Sequence, residues 1–107
     1  MLIATWNVNS LRARMPRVLE FLEKHQPDAL CLQETKVHGE TFPHMEIQAA
    51  GYRALEHSAG QWAGVAILVR NGVPVDDDVM RGLPGEPLPE DARWVEATVA
   101  GVRVISV

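Results

Sequence analysis

Residues 30–36 read Leu-Cys-Leu-Gln-Glu-Thr-Lys. An apolar run passes, with no turn between, into an amide, a carboxylate, a hydroxyl and an ammonium. With Ala29 in front, residues 29–32 are apolar at every position, the pattern of a strand covered on both faces. A carboxylate placed straight after such a strand is held by a rigid backbone and is partly withdrawn from water. That suits a hard cation such as Mg²⁺, which takes oxygen ligands and keeps several waters.

On the N-terminal side, residues 2–8 are rich in apolar and β-branched side chains and read as a strand. Asn7, Asn9 and Ser10 stand where that strand would reach a sheet edge. Pro16 suits the first turn of a helix, where its missing N–H would be unpaired anyway. Val18, Leu19, Phe21 and Leu22 form an apolar stripe at helical spacing, with Arg17, Glu20, Glu23 and Lys24 outside it. Pro27-Asp28 closes the helix. Strand, helix and strand over so short a span make a βαβ unit. If its two strands are parallel neighbours, Asn7 and Asn9 stand beside Glu34. Lys36 would neutralise the carboxylate or an incoming phosphate. One acid, two amides and one base make an oxygen-rich set that points to phosphoryl chemistry rather than redox or acyl transfer. The rival reading of the same residues is a solvated surface ion pair of little energetic weight.

On the C-terminal side, a second helix is expected over residues 42–50, closed by Gly51. Residues 52–56 and 63–70 read as strands separated by the Ser58-Ala59-Gly60-Gln61 turn. Residues 81–91 hold three prolines and two glycines and read as a loop. Residues 93–99 and 102–107 form an expected hairpin joined at Ala100-Gly101. The elements together predict an α+β fold. The last six residues are an apolar strand with no turn after it, so the chain is expected to be the N-terminal part of something longer.

The chain has 107 residues, 47% of them hydrophobic, and a net charge of -4, a composition that fits one globular domain and argues against disorder. Residues 1–38 carry five Lys/Arg against four Asp/Glu, whereas residues 39–107 carry five against ten. Any electropositive surface is therefore local, and Arg12, Arg14 and Arg17 are the candidates. Cys31 is the one cysteine, which excludes an internal disulfide framework and fits a reducing cytoplasm. Its position between two leucines marks it as a small buried hydrophobe. The N-terminus lacks the basic region and apolar core of a signal peptide, and no run approaches membrane-spanning length.

Four blocks carry a family likeness. TWNVNSLRAR at 5–14 and QPDALCLQETKV at 26–37 resemble the first two signature blocks of the exonuclease III type of AP endonucleases, within the endonuclease/exonuclease/phosphatase superfamily. GQWAGVAILVR at 60–70 and ARWVEATV at 92–99 resemble the third and fourth. The resemblance runs in order along the whole chain. It implies a four-layer αββα sandwich of the DNase I-like type, of which residues 1–107 would be the N-terminal half of a single domain. It further implies Mg²⁺- or Mn²⁺-dependent hydrolysis of phosphodiesters in double-stranded DNA, at abasic sites and 3′ ends, by a monomeric parent.

By position, the resemblance makes Glu34 and Asn7 the catalytic, metal-side residues. Asn9 and Lys36 would support Glu34 from behind. Arg12 and Arg93 match positions that touch the DNA backbone. Trp62 falls in a loop where the family often places an aromatic near the DNA groove; as a plain packing residue it would instead be half-buried. The family's catalytic tyrosine, Asp-x-Asn pair, later metal-site aspartate and closing Asp-His pair have no counterpart here. None of His25, His38, His44 and His57 matches the catalytic histidine. One carboxylate with no placed general base cannot both hold a metal and activate a water, so residues 1–107 alone are expected to be inactive. Two other readings stay open at this point: another phosphoesterase of the superfamily, such as a phosphatase or ribonuclease, and a non-catalytic nucleic-acid-binding protein of the same fold.

Overall fold

A computed structural model describes residues 1–82 and 91–107. The βαβ unit is present: β1 (Ile3–Asn7), α1 (Leu11–His25) and β2 (Ala29–Gln33). The two strands are parallel and in register, with Thr5 opposite Cys31 and Asn7 opposite Gln33. After α2 (His44–Ala49), strands β3 (Tyr52–His57) and β4 (Val65–Arg70) complete a four-stranded sheet in the order β1-β2-β4-β3. A second, antiparallel sheet is built from β5 (Met80–Arg81), β6 (Val95–Val99) and β7 (Val102–Ser106).

The apolar pattern of β2 is explained by what covers it. Leu30 and Leu32 pack with Val18, Leu22, Ile47 and Leu68 under the helices. Ala29 and Cys31 face the other way and pack with Val65 and Ile67 of β4 and, across the sheets, with Val95 and Ala97 of β6. The chain is therefore α+β in three stacked layers: helices, first sheet, second sheet. Burial pushes the Cys31 thiol up to about 11, as a small buried hydrophobe requires. Among the described residues, no helix is long and apolar enough to cross a membrane.

Several boundaries differ from the sequence pattern. The first helix starts at Leu11 and not near Pro16, because Ser10 caps it: the Ser10 hydroxyl accepts the Ala13 N–H at 3.3 Å. Pro16 lies inside the helix on its exposed side. Strands β4 and β6 begin at Val65 and Val95 rather than at residues 63 and 93. Ala63 and Gly64 have positive φ, at 53° and 100°, which no strand accommodates, and the pairing of β6 with β7 begins only at Val95, opposite Ser106. Gly51 does close α2 in the left-handed region, with φ 88°. The two-residue strand β5 is an addition, pinned by pairing of Met80 with Glu96 and Arg81 with Val95. Most of the expected 81–91 loop lies outside the described residues.

Candidate active site

The loops that follow β1 and β2 are joined by backbone hydrogen bonds, as if the sheet continued past its strands. Ser10 and Leu11 donate to the carbonyls of Glu34 and Thr35 at 2.9 and 2.8 Å. On the other side, Thr35 and Lys36 donate to Gly64 and Ala63 at 3.1 and 2.9 Å, and Gly64 donates to Ala92 at 3.0 Å. Four loops, one from each signature block, thus meet in a row. Their backbone is strained where they meet: Asn9, Ser10, Glu34, Lys36, Ala63 and Ala92 all have positive φ without being glycine. Such conformations persist only where the surroundings enforce them, and they gather at functional sites.

The row carries the polar side chains expected from the sequence. The Asn7 amide Nδ2 donates to Glu34 Oε2, and Asn7 Oδ1 accepts the Asn9 N–H at 3.2 Å. Lys36 Nζ donates to Asn9 Oδ1 at 2.6 Å and lies 3.6 Å from Glu34 Oε1. The amide of Asn7, helped by the charge of Lys36 and then of Arg93, holds the Glu34 carboxyl below its ordinary value of 4.5 against a smaller opposing effect of desolvation. An ionised carboxylate, about half exposed at 45%, therefore sits in a ring of neutral and cationic groups. Asn7, Glu34, Gly64, Ala92 and Arg93 line one hollow of about 350 Å³. A larger hollow of about 550 Å³ lies between α1 and α2, among Leu19, Ala50 and Tyr52, and shares no residue with it.

Of the residues singled out from the sequence, Asn7, Asn9, Glu34 and Lys36 are brought into mutual contact, and Arg93 lines the same hollow. Arg12 is not in this hollow. It is exposed on the first turn of α1 and lines a separate groove with Met15, Val37 and Thr41. Trp62 is not half-buried: 71% of it is exposed, on the β3–β4 loop next to Ala63. No histidine lines the hollow. His25 and His38 are exposed, His44 pairs with Glu56 at 3.7 Å, and His57 Nδ1 lies 3.3 Å from the Trp94 carbonyl.

Three participants escaped the sequence reading. Gln33 Nε2 donates to Thr5 Oγ1 at 3.0 Å and to Ser106 Oγ at 3.1 Å, and the Ser106 hydroxyl donates to the Leu32 carbonyl at 2.9 Å. The available signal was parity. Gln33 follows Ala29 and Cys31 on the inward face of β2, and Ser106 follows Val104 in β7; polar groups so placed require partners.

The donors suit a hard divalent cation. Glu34 offers an ionised carboxylate open to water, and Asn7 Oδ1 keeps a second lone pair beside its bond to Asn9. Among the described residues, no group of three His, Cys, Asp or Glu converges, so Glu34 is the one anionic ligand this hollow supplies.

Comparisons with known proteins place the chain in a family. Residues 4–107 match the Endonuclease/Exonuclease/phosphatase family. The chain is 37% identical over 81 residues to exodeoxyribonuclease III of Haemophilus influenzae, covering 69% of this chain and 30% of that protein. It superposes on a 3′-5′ exonuclease from Neisseria meningitidis with a TM-score of 0.89 and 42% identity, and on an AP endonuclease from Archaeoglobus fulgidus with 0.88 and 38%. In both cases 98% of this chain is covered, and the chain spans 40% of the solved protein's length. With a family match over nearly its whole length and the four blocks meeting at one hollow, the chain belongs to the endonuclease/exonuclease/phosphatase family.

Proposed function

We propose that this chain supplies the metal-side half of a DNA phosphodiesterase of base-excision repair, acting at abasic sites and 3′ ends. The observation that carries the reading is Glu34: an ionised carboxylate at the end of a doubly covered strand, oriented by Asn7 and flanked by Lys36. Glu34 and Asn7 would hold Mg²⁺ or Mn²⁺, and a bound ion of this kind supplies charge stabilisation to the scissile phosphate. Asn9 and Lys36 keep Glu34 in place, since outer partners of a metal ligand fix its orientation. Arg93, in the same hollow, binds a phosphate oxygen. Arg12, exposed on α1, meets the DNA backbone further along, and Trp62 lies against a groove. The general base and the acid for the leaving group come from residues outside 1–107, so this segment alone does not turn over. A cytoplasmic enzyme fits the single buried thiol, and a monomeric parent is what the family resemblance implies.

The test is cleavage of duplex DNA bearing one abasic site, and of a recessed 3′ end, by the intact protein with Mg²⁺. We expect turnover, its loss in Glu34→Gln, and none from the isolated 1–107 polypeptide. A Glu34→Gln protein as active as the parent sequence would overturn the assignment of Glu34. Turnover by the 1–107 polypeptide well above background would overturn its division into halves.

A further inference from the structure

Gln33 ends β2 immediately before Glu34, and its side chain enters the space between the two sheets. We propose that Gln33 is a positioning residue for Glu34, and that with Thr5 and Ser106 it forms a clasp tying β1, β2 and β7 at the point where Glu34 leaves its strand. The importance given to Glu34 rests on the function proposed above; the clasp itself does not.

The donor count fixes the arrangement. The Ser106 hydroxyl has one proton and gives it to the Leu32 carbonyl at 2.9 Å, so towards Gln33 it can only accept. The group 3.1 Å away is therefore the amide Nε2, and its second N–H reaches Thr5 Oγ1 at 3.0 Å. Both amide protons are in use. Each partner sits on a different strand, and two of the strands belong to different sheets. Thr5 lies two residues before Asn7, and Asn7 is the partner of both Gln33, in register, and Glu34, through its amide. Ser106 is fully buried, which shields its bonds from water and makes an unmatched partner costly. An apolar residue at each place would pack between the sheets as well. A closed polar circuit instead holds one spacing and one register.

The test uses Gln33→Met, which keeps length and removes both donors, Ser106→Ala, and Thr5→Val, an exposed site where misfolding is not at issue. Amide hydrogen exchange by NMR in the metal-free intact protein reads the clasp directly. Loss of one such bond should speed exchange at Thr35 and Lys36 by about three- to tenfold, with the amides of β4 unchanged. Combining Gln33→Met with Ser106→Ala should cost less than the sum of the two single changes, because the Gln33–Ser106 bond is shared and only the Ser106–Leu32 bond is left to lose, and Mn²⁺ affinity should fall in all three variants. Unchanged exchange at Thr35 and Lys36 overturns the clasp, as does equal acceleration throughout β4 or an additive double variant. Mn²⁺ affinity unmoved by Glu34→Gln would instead overturn the metal reading, leaving the clasp to be judged by exchange alone.

Discussion

Asn7 ends β1 and Glu34 directly follows the end of its parallel neighbour β2, and the amide of Asn7 holds the carboxylate of Glu34. A neutral donor orients the acid without adding charge to the site. Replacing Asn7 by Leu, or Lys36 by Met, keeps bulk and removes that support. Partners of this kind are worth about 10–100-fold in metal affinity or activity. Steady-state cleavage rates on abasic-site DNA should fall by that amount for Lys36→Met and by at least that amount for Asn7→Leu, which also removes a proposed metal ligand, with secondary structure by circular dichroism unchanged; rates within twofold of the parent would refute the assignment.

Gly64 has φ +100°, and a Cβ on it would run into Thr35 Oγ1, a buried hydroxyl without a partner among the described residues. Gly64→Ala combines left-handed strain of about 1–2 kcal/mol with overpacking of about 1–3 kcal/mol. Gly101 has φ +80°, and a methyl added there would meet nothing within 4 Å, so Gly101→Ala should cost only the strain. Urea denaturation of the two variants checks the contrast, and equal losses would refute the collision.

Acid should unfold the protein through specific carboxylates. Asp28 is held below its ordinary 3.8, first by the Leu2 N–H at 2.8 Å and then by Arg70. Glu96 is held below 4.5, first by the Trp94 indole and then by Arg103. A depressed carboxyl contributes stability that is complete above its ordinary value and is lost as pH falls through the folded value. Stability should therefore be flat near neutrality and drop below about pH 4. Removing Arg70 by Arg70→Met should shrink the drop, and an unchanged pH profile in that variant would count against the Asp28 pairing.

Trp62 offers a separation of binding from stability. With 71% of it in solvent, Trp62→Ala should change unfolding free energy by no more than about 0.5 kcal/mol. Duplex affinity should fall severalfold, measured by fluorescence anisotropy at fixed salt. Unaltered affinity would remove Trp62 from the DNA surface.

Cys31 should be inert to a thiol reagent in the native state, because burial pushes it up to about 11 and the thiolate is the reactive form. It should react stoichiometrically in denaturant. Rapid native-state labelling would contradict the closed space between the sheets.

The strands were legible because their burial is regular. β2 shows its double cover in four consecutive apolar residues, and β6 alternates up to the Ala100-Gly101 turn that pairs it with β7. What could not be read was enforced from a distance. β5 has two residues and exists only through pairing with β6. The early start of α1 depends on Ser10 and Leu11 docking onto Glu34 and Thr35, while Pro16 drew attention to the wrong turn. At the site, the polar residues flanking β1 and β2 announced themselves. Gln33 and Ser106 did not, since their role depends on two sheets meeting face to face.

The row of loop hydrogen bonds has a kinetic consequence. It links Ser10 to Ala92 through Glu34, Thr35 and Gly64, segments that no local folding event brings together. Contacts of such large sequence separation form late, after their loop-closure entropy has been met. The hollow around Glu34 is thus absent from any partly folded state in which the second sheet is undocked. Recovery of cation binding during refolding would time the docking of the sheets, lagging the appearance of α1.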